Sequence, residues 1–290
     1  ATKSICPGCS RGCNIDIWVR SNKILRLTPR TNLNVNQYWM CDNGRLNSFG
    51  HVNSDDRIKG AHIRKNGKLI QVGWDEAYAL TVSELKNFNK DEIAFIFSTS
   101  STLEDLYVSM KYAKSVLGVK HFGFRKPIVP NSGDDILITE DKSPNSAGAE
   151  LILNSVAKTD NSFSTIIKLI NEGKIKALYV VEEDIAAISE EANKALDKLE
   201  VLIVHSSNQN NTVEKANIVF PSSTFAEKNG TYVNINGRVQ RIKPAVTTAE
   251  MDRSLDNMEL SRLDKFGTDF DRWGKVEKIS ARPTWKIFLG

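Results

Sequence analysis

Beyond residue 41 the chain contains no cysteine. Disulfides therefore cannot staple the body of the protein, and an ordinary apolar core must hold it. No window approaches the roughly 18 apolar residues of a membrane-spanning helix. No signal-peptide pattern opens the sequence, and the composition is that expected of an intracellular protein. Charge of one sign is also missing. Lys and Arg number 39 against 35 Asp and Glu, a net charge of +4, too small and too evenly spread to argue for nucleic acid. Histidines number only four, and no internal repeat or low-complexity tract is present. What remains is a chain of 290 residues, 40% hydrophobic and 26% charged, enough for one large or two ordinary globular domains.

All four cysteines fall in one stretch, Cys6-Pro7-Gly8-Cys9-Ser10-Arg11-Gly12-Cys13 completed by Cys41, with spacing Cys-x2-Cys-x3-Cys-x27-Cys. Three readings compete: a 4Fe–4S cluster, a structural zinc, or disulfides. Four thiolates satisfy either metal centre. Zinc sites usually present two separate Cys-x2–4-Cys knuckles. Here three cysteines are contiguous and the fourth is remote, a grouping that favours the cluster. Gly8 and Gly12 let the backbone approach a bulky inorganic core and point N–H groups at it. Cys6, Cys9, Cys13 and Cys41 are the candidate ligands.

Residues 14–20 and 23–27 alternate, with Ile15, Ile17 and Val19 on one side, and read as an antiparallel pair turning at Ser21-Asn22. Residues 63–72 read as a second hairpin around Asn66-Gly67. These elements suggest a small β-rich module over residues 1–72 that depends on its metal. From Trp74 the pattern changes. Residues 74–88 have helical spacing, and residues 93–97 suit a buried strand. Ser101-Thr102-Leu103-Glu104 reads as a capping box opening a helix that runs to Leu117 and stops at Gly118. Residues 127–161, rich in Pro, Ser, Asn, Asp and Gly, read as a long irregular connection. Helices at 163–172 and 190–199 then alternate with strands at 177–181, 201–204 and 218–220, which predicts a parallel, doubly wound sheet over 73–249. Residues 225–241 are turn-rich. Residues 250–290 read as an extended arm anchored by Phe266, Phe270, Trp273 and Trp285, with a helix start at 283–289.

The cysteine stretch and residues 30–45, Arg-Thr-Asn-Leu-Asn-Val-Asn-Gln-Tyr-Trp-Met-Cys-Asp-Asn-Gly-Arg, resemble the large iron–sulfur, G-type subunit of respiratory NADH:quinone oxidoreductase (complex I). Trp74-Asp75-Glu76-Ala77, residues 170–179 and residues 216–240 resemble successive motifs of the wider molybdopterin-oxidoreductase superfamily. The resemblance implies an α/β fold: a small β-rich iron–sulfur module followed by a reduced, molybdopterin-oxidoreductase-like doubly wound domain. It also implies one 4Fe–4S cluster held by the four cysteines. Three departures bear on the cofactor. Residues 127–161 stand where superfamily members carry several hundred residues. No fifth cysteine exists, and no Ser or Asp sits in a matching molybdenum-ligand motif. Many relatives follow the fourth cysteine with a Lys that bridges to the pterin, whereas Cys41 is followed by Asp42, Asn43 and Gly44. The ferredoxin-like part that precedes this region in the family is not seen either.

The function implied is electron transfer within an NADH:quinone oxidoreductase-type complex, without molybdopterin and without an independent active site. The expected partners are other subunits of a respiratory NADH-oxidising complex. The expected location is its peripheral arm on the cytoplasmic side of the inner membrane, touching membrane only through the complex. Alternatives are a molybdopterin-dependent, formate dehydrogenase-like oxidoreductase and the G-type subunit of an NAD-linked hydrogenase. With no pterin to hold, the space between the two α/β pieces is expected to be filled by apolar side chains, since an empty cavity forfeits roughly 24 cal/mol per Å³.

Other residues admit two readings each. His51 is either a ligand or unrelated to the metal, and His205 a site residue or a packed strand-end histidine. Residues 98–101 form a phosphate-binding turn or a plain N-cap. Glu227-Lys228-Asn229-Gly230 either borders a cofactor or is a hairpin turn kept for folding. Arg11 and Arg45 tune a cluster or sit in solvent. Trp18, Tyr38 and Trp39 read as core or interface anchors, and His62 and His121 carry no signal.

Overall fold

The computed structural model describes residues 1–134, 136–157 and 162–248. The arm expected over 250–290, with its aromatic anchors, lies outside the described residues.

The chain opens with a three-stranded antiparallel sheet, β1 (Thr2–Ile5), β2 (Asn14–Arg20) and β3 (Lys23–Pro29), in the order β1-β2-β3. The β2–β3 turn lies at Ser21-Asn22, as the alternation predicts, and both residues take a left-handed φ, 50° and 58°. Ile15 and Ile17 on β2 and Ile24 and Leu27 on β3 are buried in one small core with Ile5 and Met40. Two short helices follow, α1 (Asp42–Leu46) and α2 (Gly50–Asn53).

The second hairpin, β4 (Ala61–Lys65) and β5 (Lys68–Val72), does not belong to this module. It forms one edge of a seven-stranded sheet of order β5-β4-β10-β9-β8-β6-β7. The cause is Ala61 and Ile63, whose side chains join the core of the large sheet. The strands of this sheet alternate with helices: α3 (Trp74–Leu85), β6 (Ile93–Ser98), α4 (Leu103–Lys111), β7 (His121–Arg125), α5 (Ser146–Ile152), α6 (Phe163–Asn171), β8 (Ala177–Val181), α7 (Glu190–Leu196), β9 (Val201–Ser206), α8 (Asn211–Lys215) and β10 (Ile218–Pro221). The pairs β7–β6, β6–β8, β8–β9 and β9–β10 are parallel, and β4 joins β10 antiparallel.

Successive residues of each parallel strand face opposite layers. Phe95, Phe97, Tyr179, Val181 and Ile203 pack with Leu106 and Met110 of α4 on one side. Ala94, Ile96, Leu178, Val180 and Leu202 pack with Ile166, Ile170 and Leu196 of α6 and α7 on the other. Burial on both faces explains why these strands read as continuous apolar runs. The doubly wound α/β class is thus observed.

Two local readings are corrected, the capping box and residues 127–161. The capping box sits one residue later: the Thr102 hydroxyl accepts from Asp105 N–H, and Asp105 accepts from Thr102 N–H. The helix it opens passes into a single π-helical turn over Tyr112–Val116. Residues 127–161 are not uniformly irregular, because α5 and a π-helical turn over Leu153–Ala157 lie inside them. Ser, Ala and Gly supply much of α5, and so small a set of side chains gives little apolar periodicity to read.

The last described hairpin, β11 (Gly230–Val233) and β12 (Val239–Ile242), packs Tyr232 and Ile242 into the small N-terminal core. It thereby ties the late, turn-rich segment to the cysteine module.

Candidate functional site

The cysteine loop is built by its neighbours as much as by itself. Cys6 N–H donates to Cys13 C=O at 2.9 Å and closes the loop on the end of β1. The β11–β12 hairpin then grips it: Gln240 Nε2 donates to Gly12 C=O at 2.9 Å, Asn234 Nδ2 to Arg11 C=O at 3.1 Å, and Ile235 N–H to Ser10 C=O at 2.8 Å. Gly12 has φ +71°, and a Cβ there would stand 2.3 Å from Gln240 Oε1. Only glycine meets both the dihedral and the close approach. Cys41 caps α1, its Sγ accepting from Gly44 N–H at 3.3 Å.

All four cysteines are unpaired and line one cavity of about 20 Å³, together with Gly8, Met40, Asn43, Gly44, Ile138 and Lys142. A Cβ on Gly44 would lie 3.1 Å from Cys6 Sγ and 3.3 Å from Cys41 Sγ, so glycine keeps the floor of this cradle open. Burial, with a smaller contribution from the neighbouring cysteines, pushes the Cys6 and Cys13 thiols up to about 12. At neutral pH these two sulfurs carry protons, which any metal must displace. Among the described residues no group of three or more His, Cys, Asp or Glu side chains is arranged to hold a single metal ion. Four thiols around a shared gap could hold a larger core.

Beside this cavity lies a second, polar one of about 460 Å³. It opens at the carboxyl ends of the parallel strands, where ligands of open α/β sheets bind. Ser100 follows β6, Glu182 and Asp184 follow β8, residues 206–210 end β9, and Ser223 and Thr224 follow β10. Pro7, Gly8, Ser48 and His51 of the N-terminal module form the facing wall. Gly8 lines both cavities. The two α/β pieces join through the β6–β8 pair over apolar contacts, whereas the cleft facing the N-terminal module is lined mainly by hydroxyls, amides and carboxylates. The loops that hold them are tied down by one another, as where Asp184 accepts from Thr212 N–H and Oγ1.

Two buried ionic clusters support the floor. Arg57 and Glu227 form a two-pronged pair at 2.9 and 2.7 Å, with side chains 5% and 2% exposed. Lys228, 2% exposed, donates to Asp105 at 2.8 Å and to Glu182 at 3.1 Å. Burial opposes the Lys228 charge, but Asp105 and Glu182 outweigh it and hold its pKa above the ordinary lysine range. Glu182 takes a left-handed φ of 58°, rare for a residue with a Cβ.

The other candidates fall as follows. His51 lines the polar cleft and not the thiol cavity. His205 is buried in the core with Tyr179 Oη 2.6 Å from its Nε2, the packed reading of the two. His62 and His121 line neither cavity. Of residues 98–101, Ser100 reaches the cleft. Glu227 and Lys228 are more than a turn: they are buried beneath it. Arg11 donates to the carbonyls of Ile136 and Leu137, and neither it nor Arg45 lines the thiol cavity. Trp18, Tyr38 and Trp39 are exposed, not core. Lys142 was missed by sequence reasoning, since nothing in residues 127–161 signals that they fold back over the cysteines.

A cysteine-bearing β module thus sits on a doubly wound sheet, with a cleft at their junction. Residues 1–54 match the molybdopterin oxidoreductase Fe4S4 domain, and residues 141–255 match the molybdopterin oxidoreductase domain. The chain is of the molybdopterin oxidoreductase family with an Fe4S4 domain. It is 38% identical over 116 residues to F420-dependent formate dehydrogenase 1 subunit alpha of Methanococcus maripaludis, covering 39% of this chain and 17% of that one. It is 32% identical over 124 residues to a protein of Staphylococcus aureus provisionally named as a formate dehydrogenase, covering 41% of this chain and 12% of that one. The matched stretch is thus a small part of these relatives. Acetylene hydratase from Pelobacter acetylenicus shares the fold, with TM-score 0.64 at 10% identity over 99% of this chain and 72% of that chain.

Proposed function

We propose that this chain is the cluster-bearing and cofactor-binding part of a molybdopterin-dependent oxidoreductase of the formate dehydrogenase type. The observation that carries this reading is the polar cleft sharing its Gly8 wall with the four-thiol cavity. Cys6, Cys9, Cys13 and Cys41 are the ligands of a 4Fe–4S cluster, which supplies one-electron transfer when bound. The match of residues 1–54 to an Fe4S4 domain, together with four thiols lining one gap, supports a cubane over zinc. The chain's residues hold, orient and shield. Ser100, Ser207, Asn208 and Ser223 offer hydroxyls and amides to a polar, dinucleotide-sized group. Pro7 and Gly8 keep that group beside the thiol cavity. All four cysteines are used by the cluster, so no thiolate here is left to ligate molybdenum.

The second reading is a pterin-free G-type subunit working with other subunits of a membrane-bound NADH-oxidising complex, or of a hydrogenase. It is supported by the likeness of residues 30–45 and by the missing Lys after Cys41. Anaerobic purification with iron, sulfide, molybdenum and tungsten analysis separates the two. Pterin fluorescence released on denaturation, with iron and sulfide, is the expected result. Iron and sulfide without pterin would select the second reading, and zinc alone would remove both.

A further inference from the structure

The segment following β7 turns back across the cysteine loop and is fastened to it. Ser10 N–H donates to Asp141 C=O at 2.9 Å and Ser10 Oγ to Thr139 Oγ1 at 2.9 Å. Arg11 donates to the carbonyls of Leu137 and Ile136 at 3.2 and 2.6 Å. Asp134 Oδ1 gathers the N–H groups of Ile136, Leu137 and Ile138, which fixes the bend. This strap carries Ile138 and Lys142 into the wall of the thiol cavity. Lys142 Nζ is held by the carbonyls of Thr139 and Ser132, at 2.7 and 3.1 Å. Apart from the cysteines, Lys142 is the one ionisable residue lining that cavity among the described residues. Its ammonium is partnered by carbonyls, and among the described residues no carboxylate pairs with it.

We infer that Lys142 sets the reduction potential of the centre held by the four cysteines, its fixed positive charge favouring the reduced state. The inference rests on the cluster reading above. Four thiolates around an iron–sulfur core carry net negative charge, and reduction adds one more electron. A nearby unneutralised cation stabilises the more negative state and raises the potential. The strap gives this charge a fixed position, which a solvated lysine would lack. No bond is made or broken: one electron passes from an external low-potential reductant to the centre.

The test is an EPR-monitored redox titration with dithionite and mediators, on the whole protein, for wild type, Lys142→Met, Lys142→Arg, and a protein with Nε-acetyllysine at position 142. Iron and sulfide are counted in each sample. At a fixed potential, the two neutral variants should show at least a tenfold lower ratio of reduced to oxidised centre. That is a midpoint about 59 mV lower for a one-electron couple. Lys142→Arg should stay close to wild type. Neutral variants with full iron and an unmoved midpoint overturn the inference. Loss of the cluster from both neutral variants overturns it as well, because Lys142 would then serve assembly. Wild type without iron and sulfide fails differently: it removes the cluster reading itself.

Discussion

The Arg57–Glu227 pair joins three parts of the molecule, and removing Glu227 should reveal it. Arg57 donates to Glu227 through both Nη atoms, to Ser207 C=O after β9 at 3.0 Å, and to Val52 C=O of α2 at 3.3 Å. Glu227 also accepts from Thr224 N–H at 2.7 Å and Oγ1 at 2.9 Å. The side chains are 5% and 2% exposed, so water cannot replace a lost partner. Glu227→Ala leaves a buried guanidinium uncompensated, a loss of about 3–5 kcal/mol. For a domain of this size that lowers Tm by roughly 6–20 °C. Arg57→Met with Glu227→Leu removes both charges and should recover much of the loss. Recovery is incomplete because the carbonyls of Ser207 and Val52 lose a donor, about 1 kcal/mol each. Urea unfolding of wild type, Arg57→Met, Glu227→Leu and the double variant closes the cycle, with an expected coupling of at least about 2 kcal/mol. A Glu227→Ala loss below about 1 kcal/mol, or strictly additive effects, would refute the reasoning.

Cys9→Ser should abolish or strongly shift the reduced-state EPR signal, because a hydroxyl is a harder and weaker ligand than a thiolate; the N-terminal module should also become protease-sensitive, and an unchanged spectrum would strike Cys9 from the ligand set. Gly12→Ala should destabilise the same module, since the new methyl meets both a left-handed φ and Gln240; urea unfolding within about 0.5 kcal/mol of wild type contradicts this. His205 predicts a pH dependence. Burial lowers its pKa to about 3 against 6.5 when free, so below pH 6.5 the unfolded chain binds a proton that the native core refuses. Its contribution to stability is full above pH 6.5 and falls as pH drops towards 3, by roughly 2 kcal/mol at pH 5. The difference in stability between pH 7 and pH 5 should therefore shrink in His205→Gln, and an unchanged difference tells against it.

What could be read from the sequence follows from the range of the forces involved. The strands β6, β8 and β9 are legible because burial on both faces writes a continuous apolar run. The β2–β3 turn is legible because Ser21 and Asn22 tolerate its left-handed dihedrals. The spacing of the cysteines points to the thiol cavity because three of its four walls lie within one loop. Pairing between distant segments is less legible. The β4–β5 hairpin was visible as a hairpin, but its membership of the large sheet depends on β10, some 150 residues away. β7 was missed because His121-Phe122-Gly123-Phe124-Arg125 has too few apolar positions to show a pattern. The strap carrying Lys142 was invisible for a different reason. It is held by backbone carbonyls and Asp134, and such bonds leave no periodic trace.

The cleft lies at a junction that local reasoning does not reach, between the N-terminal module and the ends of the parallel strands. Shortening the connection suggested a closed, apolar core. The deciding residues were Glu227 and Lys228, read as a turn kept for folding. A turn kept only for folding has no need to bury Lys228 between Asp105 and Glu182, because taking three charges out of water costs several kcal/mol each before their attraction returns it. Apolar side chains of similar volume often serve stability as well or better. Glu182 adds to that cost through its φ of 58° at the carboxyl end of β8. Charge and strain meet at Glu182 and Lys228, which also line the polar cleft. The charges and the strain at the floor are therefore not explained by folding alone.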